Sequence, residues 1–476
     1  MTKTFPAGGK LSLATILAFA STSFPMGALG IAIAVYLPPY MASHIGVSLA
    51  AVGAAWMIVR LVDIVVDPIL GVFMDRTRTP LGRYRVWMIL GAPILMVATY
   101  ALFLAPKGID SFYLIGWLLV LYLATSILGL GHSAWGATLS TEYHERSRVF
   151  GVLAAVGVMG AVLVLIFPII AGNLGRSAAQ GVQDMGWFVI ITTPLAVALC
   201  TIRTPETIRA DIGKHQFRMR DYWGLIIKPD LMRLYMAQIA LTLGPGWMSA
   251  LYVFFCTQGM GYSSEVASGL LLLYILAGIV GAPLTARLAQ SIGKHRTLMV
   301  TTTAYSLGLC TLLLIPKGNA LAALAPMFWC GFMASGFDLM IRAMLADVAD
   351  EVRLEQGKER LSLIYALNSS AAKIAAAFSI GLTYPLLAQL GFVATEGFRN
   401  SPEAIERLKW VYIAGPIFFV MLGGACVVGW KLDEARHAEI RKELERRDLA
   451  EDAAFDGAPI LESITSEPAN VVVDRD

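Results

Sequence analysis

The chain has 476 residues, of which 57% are hydrophobic and only 15% charged, with a net charge of +3 at neutral pH. A soluble domain carries about a quarter charged residues, so this balance excludes an ordinary soluble enzyme or binding module. The small positive excess gives no ground for a nucleic-acid partner.

A bilayer-spanning helix needs about 20 mostly apolar residues. Segments of that kind are predicted at 14–44, 49–74, 85–105, 111–139, 149–174, 184–202, 232–258, 266–290, 297–315, 319–346, 361–391 and 408–430. The fold class expected is therefore an all-α membrane protein with twelve transmembrane helices. The first segment is too long for a signal peptide, and the hydrophobic pattern continues long after it. Loops 2–3, 4–5, 6–7, 8–9 and 10–11 hold about nineteen Lys and Arg against about six in the alternate loops, so the rich side is expected to face the cytoplasm. Both termini are then inside, and an inner-membrane location is expected.

In chain order, Pro25-Met26-Gly27 interrupts span 1, and span 2 carries Arg60, Asp63 and Asp67. An ionisable residue at mid-bilayer costs at least ~2.5–3.5 kcal/mol on insertion scales, so each of these needs a partner or a function. Spacings of three and four put all three side chains on one helix face. Carboxylates one turn apart can converge on a hard cation such as Na⁺, or can hold a proton because like charges raise one another's pKa. Arg60 neutralising Asp63 in a structural pair is the bland alternative, and it leaves Asp67 unexplained.

Loop 2–3 reads Gly71…Asp75-Arg76…Gly82-Arg83-Tyr84-Arg85, and its counterpart after span 8 reads Gly281…Arg287…Gly293-Lys294-His295-Arg296. These clusters, with Glu142, Glu145, Arg146, Asp347 and Asp350, are expected to form a cytoplasmic salt-bridge gate. Matching Gly and Pro positions are displaced by roughly 210–220 residues, as duplicated six-helix halves would be. The division expected is 1–203 for one bundle, 204–231 for a central loop, 232–432 for the second bundle and 433–476 for a charged tail. The tail is helix-prone to about Leu449, and a solvated helix followed by disorder is expected there.

His132 and Trp135 in span 4 are candidate substrate contacts, although packing is the commoner role of such residues in a membrane helix. Asp338 and Arg342 in span 10 form an i,i+4 pair that serves either mutual neutralisation or substrate contact. Lys373 enters span 11 roughly 18 Å from its start at Leu361, about the depth of Asp63 in span 2. It is expected to compete with a coupling cation for Asp63 and Asp67; a lysine snorkelling along the wall is the alternative. The five cysteines lie in apolar stretches at spacings that fit no metal or disulfide pattern. No cofactor or metal is expected beyond a coupling Na⁺ or H⁺.

The stretch Arg60-Leu61-Val62-Asp63-Ile64-Val65-Val66-Asp67-Pro68-Ile69-Leu70-Gly71, followed by Asp75-Arg76-Thr77-Arg78-Thr79-Pro80-Leu81-Gly82-Arg83-Tyr84-Arg85, resembles the signature of the glycoside–pentoside–hexuronide:cation symporters of the major facilitator superfamily. Glu142-Tyr143-His144-Glu145-Arg146 and Leu345-Ala346-Asp347-Val348-Ala349-Asp350-Glu351, with Lys373, resemble later parts of the same pattern. The resemblance implies two pseudo-symmetric six-helix bundles, alternating access, and a monomer sufficient for transport of a small-molecule solute across a lipid bilayer. It further implies that Asp63 and Asp67 bind the cation, that Lys373 matches the span-11 lysine, and that Trp135 matches an aromatic of the sugar site. Three departures stand against a sugar: Phe24-Pro25-Met26-Gly27 lacks the span 1 acid, Gly131 replaces a second acid, and Leu153 or Ala154 replaces an arginine. An anionic or amphiphilic solute is therefore kept as an alternative. A Mg²⁺-diphosphate enzyme using Asp63-x-x-x-Asp67 is the remote one, since twelve spans and duplicated halves are not needed for that chemistry.

Overall fold

A computed structural model describes residues 11–139, 143–206, 225, 227–357 and 360–456. Twelve of its helices are long and apolar enough to cross a membrane. They are α1 (Leu13–Ile45), α2 (Leu49–Arg76), α3 (Arg85–Phe103), α4 (Ser111–Leu139), α5 (Tyr143–Val164, continued by Ile166–Asn173) and α6 (Ala178–Arg203) in the first half. The second half has α7 (Pro229–Gly259), α8 (Ser264–Ile292), α9 (Lys294–Leu314), α10 (Ala320–Gln356), α11 (Leu361–Gln389) and α12 (Pro402–Ala425), and a charged helix α13 (Glu434–Asp456) follows.

Local chemistry sets several of the boundaries. Ser48 caps α2 by accepting from the Ala51 amide, and Ser177 with Gln180 forms a reciprocal capping box that starts α6 at Ala178. Hydropathy placed that start too late, because the first turn of α6 is polar. Likewise α12 begins at Pro402 behind the Ser401 cap rather than near 408, since Glu403, Glu406 and Arg407 make its first two turns solvated. Helix α10 outruns its apolar segment to Gln356 and stops at Gly357, whose φ of +63° is the left-handed conformation that glycine supplies at helix ends.

The pairing pattern repeats between the halves. Helix α1 packs on α5 and α6 as α7 packs on α11 and α12, and α2 packs on α4 as α8 packs on α10. Helix α3 lies against α4 and α6 as α9 lies against α10 and α12. This is the two-bundle major facilitator architecture, and each bundle buries helix faces against its own members. Close crossings use glycine: a Cβ on Gly27 would lie 2.0 Å from the Gly157 carbonyl oxygen, and one on Gly331 would lie 2.0 Å from that of Tyr274.

The halves meet along two equivalent seams, α2 with α11 and α5 with α8. The face carrying loops 2–3 and 8–9 is the basic face. At the opposite face the halves are drawn together. The Tyr36 hydroxyl of α1 lies 2.8 Å from that of Ser268 in α8, and His44 Nδ1 lies 2.8 Å from Glu396 Oε2 in the loop before α12. The Glu396 amide also donates to the Ser43 carbonyl at 3.0 Å. On the α2–α11 seam, a Cβ on Gly53 would sit 2.7 Å from Pro385 Cδ, and one on Gly381 would sit 2.8 Å from Met57 Cβ.

The charged tail departs from expectation. Helix α13 is not free in solvent: Ile440 and Leu444 are buried, His437 Nε2 lies 3.0 Å from Asp350 Oδ2, and Arg447 donates to the Leu354 carbonyl at 2.8 Å. Two apolar residues four apart on a charged helix give it a narrow sticky stripe, and the end of α10 supplies the counter-surface. Residues 457–476, where disorder is expected, and residues 207–224 and 226 of the expected central loop lie outside the described residues.

Candidate functional site

Helices α2, α4 and α11 bring the membrane charges together. Asp63 is 5% exposed, and its Oδ1 accepts a 2.8 Å hydrogen bond from Ser126 Oγ of α4. Its Oδ2 lies 3.2 Å from Lys373 Nζ of α11 and 3.8 Å from the Arg60 guanidinium. Lys373 Nζ also contacts Asp67 Oδ2, so one ammonium bridges both carboxylates across the seam between the halves. Arg60 places its guanidinium 4.2 Å from the centroid of the Tyr122 ring of α4, a cation–π contact.

Formal charges cancel in this group of two carboxylates and two cations, which is the condition for holding ionised side chains inside a membrane protein. Satisfaction is incomplete, however. Asp67 Oδ1 is buried and, among the described residues, accepts no hydrogen bond. Pro68 has no N–H to give to the Ile64 carbonyl one turn back, which leaves another oxygen of α2 without its helical donor. Carboxylate, hydroxyl and freed carbonyl oxygens are the ligand types that hard monovalent and divalent cations take. These residues fit such an ion.

The second pair lies on α10. Asp338 Oδ2 and Arg342 Nε are 2.6 Å apart, and both side chains are more than half exposed. Tyr365 of α11 donates to the Arg342 carbonyl at 2.9 Å. Beside the pair is a cavity of about 450 Å³ walled by α7, α8, α10 and α11.

His132 and Trp135 do not join either group. His132 is buried, bonded through Nε2 to the Phe19 carbonyl at 2.8 Å, with its ring centroid 4.2 Å from that of Phe19. Trp135 has no exposed surface, and its Nε1 donates to the Pro205 carbonyl at 3.2 Å. Both side chains are packed and hydrogen-bonded within the bundle interior. Gly136 lets α4 approach Phe19 of α1 closely, a Cβ there lying 3.1 Å from the ring, and His132 is buried against the same ring.

At the basic face, loop 2–3 folds around a residue with no distinguishing sequence context. The Glu206 carboxylate, just beyond α6, accepts the backbone amides of Arg83, Tyr84 and Arg85 at 2.8, 2.6 and 3.2 Å. A carboxylate at the N-terminus of α3 also meets the positive end of the helix dipole. Gly82 has φ +125°, and a Cβ there would lie 2.0 Å from Glu206 Oε2, so glycine is required twice over. Arg85 also donates to the Thr204 carbonyl at 2.8 Å and stands 5.6 Å from the Trp135 ring centroid, while Arg76 is exposed.

Asp347 and Asp350, two of the residues expected in the cytoplasmic gate, pair within their own half. Asp347 takes Lys294 at 2.6 and 2.7 Å, and Asp350 takes His437 and, at 3.8 Å, Arg441 of α13. Lys228 joins Glu351 and Glu355 at 3.1 and 2.8 Å. Burial alone would lower the Lys228 pKa, but the two carboxylates hold it above its ordinary value. Glu142 and the side chains of Asp75 and Arg146 lie outside the described residues.

Several of these residues escaped the sequence reading. Ser126 carries no signal, because serine in a membrane helix commonly satisfies itself on its own backbone. Glu206 lies in an ordinary loop sequence. Gln238 of α7, in Met236-Ala237-Gln238-Ile239-Ala240, did carry one: an amide in an apolar run raises the same question as a buried charge.

Comparison with known proteins adds to this geometry. The profile described as MFS/sugar transport protein matches residues 18–434. The isoprimeverose transporter of Lactiplantibacillus pentosus is 22% identical over 447 residues, covering 89% of this chain and 89% of that protein. The sodium-dependent lysophosphatidylcholine symporter 1-B of Danio rerio is 23% identical over 507 residues, covering 95% and 93%. Among solved structures, the nucleoside transporter NupG (D323A mutant) superposes with a TM-score of 0.64 at 13% identity, covering 88% of this chain and all of that one.

Proposed function

The chain belongs to the MFS/sugar transport protein family, a branch of the major facilitator transporters, and on that footing we propose that it is a cation-coupled symporter of a glycoside-like solute. It is a multi-pass membrane transporter and not an enzyme. The observation that carries the coupling is Lys373, which bridges Asp63 and Asp67 across the α2–α11 seam while Asp67 Oδ1 has no partner among the described residues.

Lys373 and a Na⁺ or H⁺ are alternatives for one pair of carboxylates. With Lys373 seated, α11 is tied to α2 and the local charge is balanced. An entering cation takes over the carboxylates, supported by Ser126 on Asp63, and frees the ammonium. The seam between the halves then loses a tie and gains an ion, so cation occupancy biases which face is open. The structure corresponds to a form closed at the opposite face, where Tyr36–Ser268 and His44–Glu396 join the halves. With the basic face inward, as the Lys and Arg bias favours, the termini are cytoplasmic and this form faces inward.

A second reading keeps the symporter and changes the solute. It is favoured by the absence of acids at Phe24 and Gly131 and by the similarity to the lysophosphatidylcholine symporter. Uptake into membrane vesicles separates the two, using labelled isoprimeverose, a uronate and lysophosphatidylcholine under an imposed Na⁺ or H⁺ gradient, with Asp63→Asn as the control. Gradient-driven accumulation of the glycoside, abolished in the variant, supports the first reading. Accumulation of lysophosphatidylcholine or the uronate alone supports the second. Transport without any gradient dependence contradicts both.

A further inference from the structure

We infer that the solute is gripped on the wall of the C-terminal half, and that Gln238 of α7 reads a hydroxyl group of a neutral, polyhydroxylated solute there. This rests on the symporter reading above and narrows its substrate class.

The cavity of about 450 Å³ beside α10 is lined, among others, by Gln238 and Thr242 of α7, Tyr274 of α8, Ser335 and Asp338 of α10, and Ala372 of α11. That size lies within the range of small-molecule sites. Gln238 is 5% exposed, and its Nε2 donates to Thr242 Oγ1 at 2.9 Å. Its Oε1 is buried and, among the described residues, accepts nothing. Exchanging the two ends of the amide does not cure this, because Thr242 then donates to the oxygen and the nitrogen is left bare. A buried amide end without a partner costs about 1–3 kcal/mol, and an apolar residue at this position would avoid the cost.

The surrounding groups define what would satisfy it. Ser335 spends its proton on the Phe332 carbonyl at 2.7 Å and so offers an oxygen to the cavity. Asp338 is bonded to Arg342 yet more than half exposed, so its carboxylate retains accepting capacity. Two acceptors and one amide able to donate or accept call for a ligand whose groups do both, spaced a few ångströms apart. Neighbouring hydroxyls meet that description. A lysolipid tail offers nothing to the amide, and an anion would face Asp338.

At the three positions where the family pattern carries a sugar-gripping residue, the first half presents apolar packing. Phe24 stacks edge-on with Phe188 at 5.5 Å, Gly131 faces Met88 in α3, and Leu153 is buried. The departures from the family pattern in that half are thus matched by polar groups in the other. Ala372 borders both the cavity and Lys373, so one turn of α11 carries the solute wall and the coupling ammonium together.

The test is the thermal unfolding of the purified full-length chain, titrated with isoprimeverose, lactose, glucuronate or lysophosphatidylcholine, with and without Na⁺ or acidification. Wild type should be stabilised by a neutral glycoside in the presence of the cation. Gln238→Leu and the near-isosteric Gln238→Met should require at least about tenfold more of it. Both should keep the cation response and an unliganded Tm no lower than wild type, which a purely structural amide would not do. Wild-type glycoside affinity in both variants would overturn the assignment of Gln238. Stabilisation by glucuronate or lysophosphatidylcholine alone, or by no solute, would overturn the neutral, polyhydroxylated class. Absence of any cation response in wild type would instead count against the symporter reading itself.

Discussion

Lys373 Nζ lies 3.2 Å from Asp63 Oδ2, and those two residues are 310 positions apart on opposite halves of the molecule. The same ammonium contacts Asp67 one turn along α2. A tie of this kind can hold the halves in one arrangement and can be exchanged for an ion. Most of the functional account follows from it.

Ser126 is the cheapest point at which to weaken the cation site without removing a charge. A hydrogen bond to a charged group contributes about 1.5–3 kcal/mol. Ser126→Ala should therefore raise the half-saturating Na⁺ concentration for uptake by roughly tenfold or more, whereas a coupling H⁺, which the donated bond disfavours, should act at a lower concentration. Uptake measured against cation concentration gives the answer, and an unchanged value would show that the Ser126–Asp63 bond is only structural.

The opposite-face closure depends on bare backbone at the α2–α11 seam. Gly381 leaves no room for a side chain against Met57. Gly381→Leu should keep that face from closing, so that a cysteine placed at Tyr36 becomes reactive from that side while uptake falls. Wild-type accessibility with wild-type uptake would mean that the seam adjusts elsewhere.

How much of this was legible in the sequence depends on what each feature is made of. Twelve spans were legible because apolar length is a local property. Asp63, Asp67 and Lys373 were legible because a charge in a membrane segment demands an explanation, and their meeting followed from equal depth. Burial of Trp135 was not, since a membrane helix is apolar on every side and its inward face carries no mark. Glu206 was hidden for another reason: it serves three backbone amides, and backbone partners leave no trace in side-chain pattern.

That hidden carboxylate is itself testable. Glu206→Ala leaves three amides of loop 2–3 unpartnered and should destabilise the chain by roughly 1–3 kcal/mol. Gly82→Ala should do at least as much, because it expels the carboxylate and strains a left-handed backbone position. Thermal unfolding of the two variants and their combination checks this, and the double variant should lose less than the sum.

The tail helix should come away when its buried stripe is broken. Leu444 is 3% exposed against the end of α10. Leu444→Asp buries a charge there and should release α13, read as protease cleavage between 431 and 456 at low enzyme dose. A tail as resistant as wild type would show that the Asp350 contacts to His437 and Arg441 suffice to hold it.

The most direct test of the coupling mechanism is cation binding to Lys373→Ala, followed as the Na⁺ or H⁺ dependence of thermal stability and of uptake. Removing the ammonium leaves two carboxylates without their bridge, at a cost of about 3 kcal/mol in the absence of cation. The account predicts a less stable apo protein, restored by the cation at a concentration at least about tenfold below that of wild type, with gradient-driven uptake lost. An unchanged cation dependence of both stability and uptake would contradict it.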